Sequence, residues 1–306
     1  MNILGMGDLH HRATAPRSRK DEYVKTLMGK VDQIHAIAAE YKCQAILQPG
    51  DFFDSSMPPL WLLSEVIRKH QMAQWLVVLG NHDQRYHTNS KENTAVGVLE
   101  AAGVVTVLSS KRWCLMDERH NTHAYIYGVS WGGEIPVPPV GDVPNVLVLH
   151  RMVIGNKKLW EQQQDFAYSQ HLLRKHKFDL ILSGDNHQFF VDEYQGRYLA
   201  NCGSLMRANS DQAQHEPSVV VYNTGTRKLK VVKLKVEPAS EVLSTEEADI
   251  QRERNKDLEA FIEYLATTSK GDAGLDFLAY VDRLASQVSA RVREKVDGIV
   301  KEADGN

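Results

Sequence analysis

Cysteine is scarce. Cys43, Cys114 and Cys202 are the only three in 306 residues, too few for a disulfide framework and with no C-x-x-C pair. Such usage predicts a reducing, cytoplasmic setting. No run approaches the ~18 consecutive apolar residues of a membrane span. The first residues show no basic stretch followed by a long apolar one, so no secretory leader is read and no membrane association is expected. Positive charge is not in excess either. Lys+Arg number 36 against 39 Asp+Glu, a formal net charge of −3. Bulk charge therefore does not attract a polyanion, and a phosphate-rich substrate has to be met by a local patch or by metal. The remainder is ordinary globular composition, 42% hydrophobic and 25% charged, enough for one large domain or a domain with an appendage. Histidine is the exception, with 13 residues, several beside Asp or Asn.

A repeated unit organises the first two-thirds of the chain. A short apolar run ends abruptly at a polar group. Ile3–Met6 leads to Gly7-Asp8-Leu9-His10, and Ala45–Leu47 leads to Gly50-Asp51. Trp75–Leu79 leads to Gly80-Asn81-His82-Asp83, Val146–Leu149 to His150, and Leu180–Leu182 to Gly184-Asp185-Asn186-His187. Runs of this kind bounded by glycine read as buried strands. Helical spacing lies between the first three: Leu27, Val31, Ile34, Ala38 and Tyr41 share one face, and Leu62 and Val66 share another after Pro58-Pro59. Strands alternating with helices predict βαβ units, mostly parallel, with functional groups gathered at the strands' carboxyl ends. All five polar clusters occupy that position.

Beyond residue 187 the texture changes. Phe189–Tyr194, Tyr198–Ala200, Val219–Tyr222 and Lys228–Val236 predict short antiparallel strands with turns at Gly196 and Gly225, forming a second sheet packed on the first. Residues 241–306 carry 15 acidic and 9 basic residues, a net of −6 that leaves +3 for the rest. This tail has two helical stripes, Leu258–Leu265 and Leu278–Ile299.

One Gly-Asp or one strand-terminal histidine is an ordinary turn or a hydrogen-bonded side chain. Five such fragments in order are not. Imidazole and carboxylate without thiolate suit Mn²⁺, Fe²⁺ or Zn²⁺. The set Asp8, His10, Asp51, Asn81, His82, His150, Asp185 and His187 is too large for one ion, and a shared carboxylate can bridge two. The glycines before the acidic and amide groups are read as sharp turns off the strands.

The motifs D-x-H (Asp8, His10), G-D-x-x-D (Gly50–Asp54), G-N-H-D (Gly80–Asp83), His150 and G-x-x-H (Gly184–His187) together resemble the calcineurin-like metallophosphoesterases over residues 1–235. Within them the chain is most similar to the SbcD-type DNA nuclease subunit, on Gly50–Pro59, Leu76–Asp83 and Gly203-Ser204-Leu205. The resemblance implies a four-layer α/β/β/α sandwich of two mixed sheets over residues 1–236. It also implies a C-terminal helical region, 237–306, that is a partner-docking element or an abbreviated cap. By motif position it implies that Asp8, His10 and His187 hold one ion, that Asn81, His150 and Asp185 hold another, and that Asp51 bridges them. His82 would be the non-ligand histidine beside the scissile phosphate and Asp83 its orienting group. The family usually ends in G-H-x-H, so Asp185 is a departure. Its hard oxygen tilts the expected metal towards Mn²⁺ or Mg²⁺, with Fe²⁺ also suitable, and away from Zn²⁺.

The implied activity is dinuclear-metal-dependent cleavage of DNA, exo- or endonucleolytic, beside an SbcC-type coiled-coil ATPase docked on the C-terminal helices. A homodimer is a second expectation for those helices. Arg12, Arg17 and Arg19 after the first motif, and Arg85 after the third, are candidates to grip flanking phosphates. The alternatives are a small-molecule phosphodiesterase or phosphatase with the same centre, and a non-catalytic scaffold.

Overall fold

A computed structural model describes residues 1–85 and 90–244. The two C-terminal helical stripes, with the partner and homodimer expectations attached to them, lie outside these residues. In chain order the elements begin with β1 (Asn2–Gly5), α1 (Tyr23–Glu40), β2 (Cys43–Gln48), α2 (Leu60–His70), β3 (Trp75–Val77), α3 (Ala95–Ala101) and β4 (Val105–Val107). They continue with β5 (Trp113–Met116), β6 (Thr122–Val129), β7 (Asn145–His150), β8 (Val153–Ile154), β9 (Ala167–Tyr168), α4 (Ser169–Lys175) and β10 (Leu180–Gly184). Last come β11 (Phe190–Tyr194), β12 (Arg197–Asn201), β13 (Ser218–Asn223), β14 (Lys228–Lys233) and the short α5 (Ala239–Val242).

The strands form two six-stranded mixed sheets, ordered β14-β13-β1-β2-β3-β4 and β11-β12-β10-β7-β6-β5. β1 through β4 pair in parallel, as do β6, β7, β10 and β12. The alternation of side chains along each strand builds the layers. Leu4, Ile46, Trp75 and Val77 turn to α1 and α2, where they meet Leu27, Val31, Ile34, Leu62 and Val66. Their neighbours Ile3, Leu47, Leu76 and Val78 turn the other way, onto Val146, Val148, Leu180 and Leu182 of the second sheet. Leu147, Leu149 and Ile181 then face α4 through Leu172 and Leu173. The result is the four-layer α/β/β/α sandwich, with its parallel strands buried on both faces.

Two expectations about sheet membership change. The five site-bearing strands do not share one sheet: three lie in the first and two in the second. The late antiparallel strands are also divided. β11–β12 edges the second sheet, whereas β13–β14 extends the first through antiparallel pairing with β1. The compact unit runs from Met1 to Leu243. It includes α5, pinned where Lys20 N–H donates to the Val242 carbonyl at 3.1 Å. Among the described residues no helix is long and apolar enough to cross a membrane.

Candidate metal centre

The loops leaving the strands continue the parallel pairing past the sheet edge. His10 N–H donates to Asp51 O and His11 N–H to Phe52 O, each at 2.9 Å, and Asp54 N–H returns to His11 O at 3.1 Å. The Gly203-Ser204-Leu205 segment stitches the two sheets together. Asp8 N–H donates to Gly203 O at 3.2 Å, Leu205 N–H to Asp8 O at 3.0 Å, and Ser204 N–H to His187 O at 3.2 Å. Asp8 and His187, far apart in the chain, are thereby fixed against each other.

The eight residues of the sequence set gather at this edge. His10 Nε2 lies 3.2 Å from His187 Nε2, and His187 Nε2 lies 3.6 Å from Asp8 Oδ2. His150 Nε2 lies 3.0 Å from Asn81 Oδ1. Asp51 stands between the two groups: its Oδ2 is 3.7 Å from His10 Nε2 and 3.6 Å from His150 Nε2. Its other oxygen accepts the His82 N–H at 3.0 Å. His150 Nδ1 donates to the Pro49 carbonyl at 2.7 Å, which leaves Nε2 bare and aimed at Asp51, the usual support of a ligating imidazole. Asp185 contributes its backbone N–H to Asp8 Oδ2 at 2.9 Å.

The donor set fits cations. Asp8 Oδ1 is buried without a hydrogen-bond partner, and imidazole nitrogens face one another and carboxylates with too few protons to share. Burial, then the Asp51 charge, drives Asp8 well above the carboxylate range. Burial likewise raises Asp51 to about 6 and lifts Asp185. It lowers His10, His150 and His187. Divalent cations would reverse the carboxylate shifts by favouring the charged form, and would reinforce the neutral imidazoles.

Three of the seven described non-glycine residues with positive φ belong to this set. His10, Asp51 and Asp185 take φ of +46°, +51° and +77°, a left-handed conformation costing on the order of 1–3 kcal/mol each. The sequence predicts the special turns at the preceding glycines. Of those four only Gly50 has positive φ, at +102°. The others are needed for close approach: a Cβ on Gly7 would sit 1.7 Å from Gly203 O, one on Gly80 2.0 Å from Asp51 Oδ1, and one on Gly184 2.6 Å from Asp8 Oδ1.

The roles expected around His82 also shift. Asp83 is buried and does not orient the imidazole. Its carboxylate accepts N–H groups from Phe52 at 3.1 Å and from Phe53 and Gly80 at 2.9 Å, tying the second-motif loop to the third. The group that orients exposed His82 is the Asp54 carbonyl, 3.0 Å from Nδ1. The Asp54 carboxylate stands 3.6 Å from His10 Nδ1 and 3.7 Å from Arg12 Nε. Burial works against protonation of His82, but the Asp54 carbonyl and the Asp51 charge outweigh it and raise its pKa.

Of the four candidate arginines, Arg12 stands at the centre through Asp54, and Arg17 is exposed on the loop. Arg85 is half-buried beside residues 86–89, which are not described. Arg19 is a correction. Its guanidinium is buried, donates twice to Asp21 and once to Arg207 O, and is a structural tie. Arg151 was missed. It follows His150 at the end of β7, a position that marks function in parallel sheets, and its Nη2 donates to Gly133 O at 2.9 Å.

Among known proteins, the family model described as calcineurin-like phosphoesterase matches residues 1–189. No curated protein matches the chain. Solved structures similar to it include a novel archaeal phosphodiesterase, 12% identical, with TM-score 0.41, covering 76% of this chain and 100% of that one. The protein TT1561 of Thermus thermophilus is 13% identical with TM-score 0.47, covering 76% and 99%. A 5′-nucleotidase of Staphylococcus aureus, so described provisionally, is 13% identical with TM-score 0.43, covering 78% and 54%.

Proposed function

This chain belongs to the calcineurin-like phosphoesterase family, a family of metal-dependent hydrolases, and from that premise we propose that it is a DNA nuclease of the SbcD type. The observation that carries the reading is the Asp51 carboxylate between His10 and His150, on the open side of which His82 is exposed. Asp8, His10 and His187 would hold one cation, Asn81, His150 and Asp185 the other, and Asp51 both. Bound there, such cations activate water and offset phosphoryl charge. His82, held through Nδ1 by the Asp54 carbonyl, would in its charged form deliver a proton from Nε2 to the departing oxygen. Arg12 and Arg151 flank the centre as phosphate-holding cations.

The narrower nuclease assignment is supported by the Gly50–Pro59, Leu76–Asp83 and Gly203–Leu205 resemblance. An SbcC-type ATPase is the proposed partner. The second reading is a small-molecule phosphodiesterase, favoured by the withdrawal of Arg19 from the substrate surface. Cleavage of linear and plasmid duplex DNA with Mn²⁺, run beside bis-p-nitrophenyl phosphate, separates the two. The nuclease reading expects DNA cleavage that is lost in His82→Asn. Hydrolysis of the chromogenic diester with intact DNA would reject it in favour of the second.

A further inference from the structure

We propose that a hollow at the His150–Asp185 end of the centre receives one unstacked nucleoside of the substrate, stacked on Trp131 and Phe166, with its phosphate on Arg151. This rests on the phosphodiesterase reading and goes further by naming the organic group esterified to phosphorus. The hollow has a volume of about 320 Å³, with His150 and Asp185 in its lining. That is the low end of ligand pockets: it has room for one splayed nucleoside and none for a duplex. Recognition of splayed nucleotides ordinarily uses aromatic stacking with a nearby guanidinium.

The lining supplies those groups from three separate segments. Trp131 follows β6, where its N–H is fixed to Leu79 O at 2.9 Å, and is 38% exposed. Phe166 precedes β9, where Ala167 N–H donates to Met152 O at 2.9 Å. Its ring is steadied edge-on by Tyr168 at 5.2 Å and faced by Lys158 Nζ at 5.5 Å. Arg151 is held at the same hollow through Gly133 O, and among the described residues no carboxylate pairs with it. Asp165, exposed in the lining, is placed to accept a base N–H or a ribose hydroxyl.

Both this hollow and the larger cavity of about 630 Å³ on the His187 side are lined by carboxylates, Asp185 being common to the two, and they differ in whether their cation is paired. The larger one is lined by Asp211 and Glu216, and its Lys233 is already bonded to Glu216. A phosphate meets a carboxylate-paired lysine there, and in the smaller hollow, despite Asp165 and Asp185, an arginine with no carboxylate pair among the described residues.

The test compares hydrolysis, by the full chain with Mn²⁺, of the p-nitrophenyl ester of thymidine 5′-phosphate and of methyl p-nitrophenyl phosphate. The leaving group is the same and only the nucleoside differs. The nucleoside ester is expected to have a kcat/KM at least tenfold higher. Trp131→Ala and Phe166→Ala should each reduce that ratio by about tenfold, mainly through KM, as expected for one stacking contact. A ratio that survives both substitutions overturns the proposal, as does an equal loss on both esters, which would make the aromatics mere props of the centre. If neither ester is cleaved, the phosphodiesterase reading fails, and the subsite is decided by thymidine 5′-monophosphate titration alone. Saturable quenching of tryptophan fluorescence that disappears in Trp131→Phe supports it; absence of binding by the wild-type chain rejects it.

Discussion

His82 and Asp51 share a hydrogen bond but face different tests. The His82 contact to Asp51 is made by the backbone N–H, so replacing the imidazole leaves the carboxylate supported. His82→Asn should lower turnover by about 10²–10⁴-fold, the range for a lost general acid, with metal content unchanged by elemental analysis. His82 also lies near His10 and Asp51 in a second group of donors, and loss of one metal equivalent would make it a ligand instead. Asp51→Asn should reduce the bound metal at both positions, whereas His150→Ala should spare the Asp8–His10–His187 group. Asp83 makes a sharper case. If it braces the loops through three buried N–H acceptances, Asp83→Ala should cost about 3 kcal/mol in urea unfolding. An unchanged midpoint with lost turnover would return it to the role of orienting His82.

At the scale of elements, α2 is tied to the first motif by a buried pair of histidines. His70 Nδ1 donates to the Val66 carbonyl at 3.0 Å, which leaves Nε2 to accept from His11 Nε2–H at 3.4 Å. His11 Nδ1 is correspondingly without a partner. Burial holds His11 at about 3 and His70 well below its usual range. The charged neighbours contributing to the His70 shift are His11, His35 and Lys69, all lowering it further. In the unfolded chain both protonate below about pH 6.5. The unfolded state therefore binds more protons in acid, and stability falls as pH drops from about 6.5 towards the folded values. Each should contribute about 2 kcal/mol of loss by pH 5. His70→Phe should remove about that much from the difference between urea unfolding at pH 7.5 and at pH 5. An unaltered difference would show that the pair is not the source. This pairing was invisible in the sequence because neither histidine sits in an apolar run or a motif with the other. The strand ends were legible because β1, β2, β3, β7 and β10 are buried on both faces and so read as unbroken apolar runs. Sheet membership was not, because Val219–Tyr222 looks the same whichever edge it joins, and its place beside β1 is set by long-range pairing. Asp54 went unread in its main role for a related reason: the work is done by its carbonyl, which every residue possesses. Arg19 misled because a basic loop looks the same whether its guanidinium faces solvent or folds back on Asp21.

For the molecule as a whole, bound metal should raise stability, and on the nuclease reading charge should set how DNA binds. Mn²⁺ at a hundredfold its dissociation constant should add about 2.7 kcal/mol to folding, seen as a higher melting temperature that chelator reverses and that Asp51→Asn diminishes. The oxygen donor of Asp185 should make Mn²⁺ or Mg²⁺ more effective than Zn²⁺ in activity after chelation, and Asp185→His should narrow the difference. The charge distribution then limits DNA binding. Residues before 241 carry +3 and the rest −6, and on that reading the phosphate contacts are assigned to Arg12 and Arg151 beside the centre and to Arg17 on the exposed loop. Three contacts on a single strand give a slope of log K against log salt of about −2. Anisotropy of a labelled single strand with the His82→Asn chain, at fixed Mn²⁺ and about 50–200 mM salt, measures it. A slope near −2, reduced by roughly 0.7 in Arg151→Ala, places the strand over the metal centre. A slope steeper than about −5 would move most of the DNA to another basic surface and disconnect binding from the metal centre.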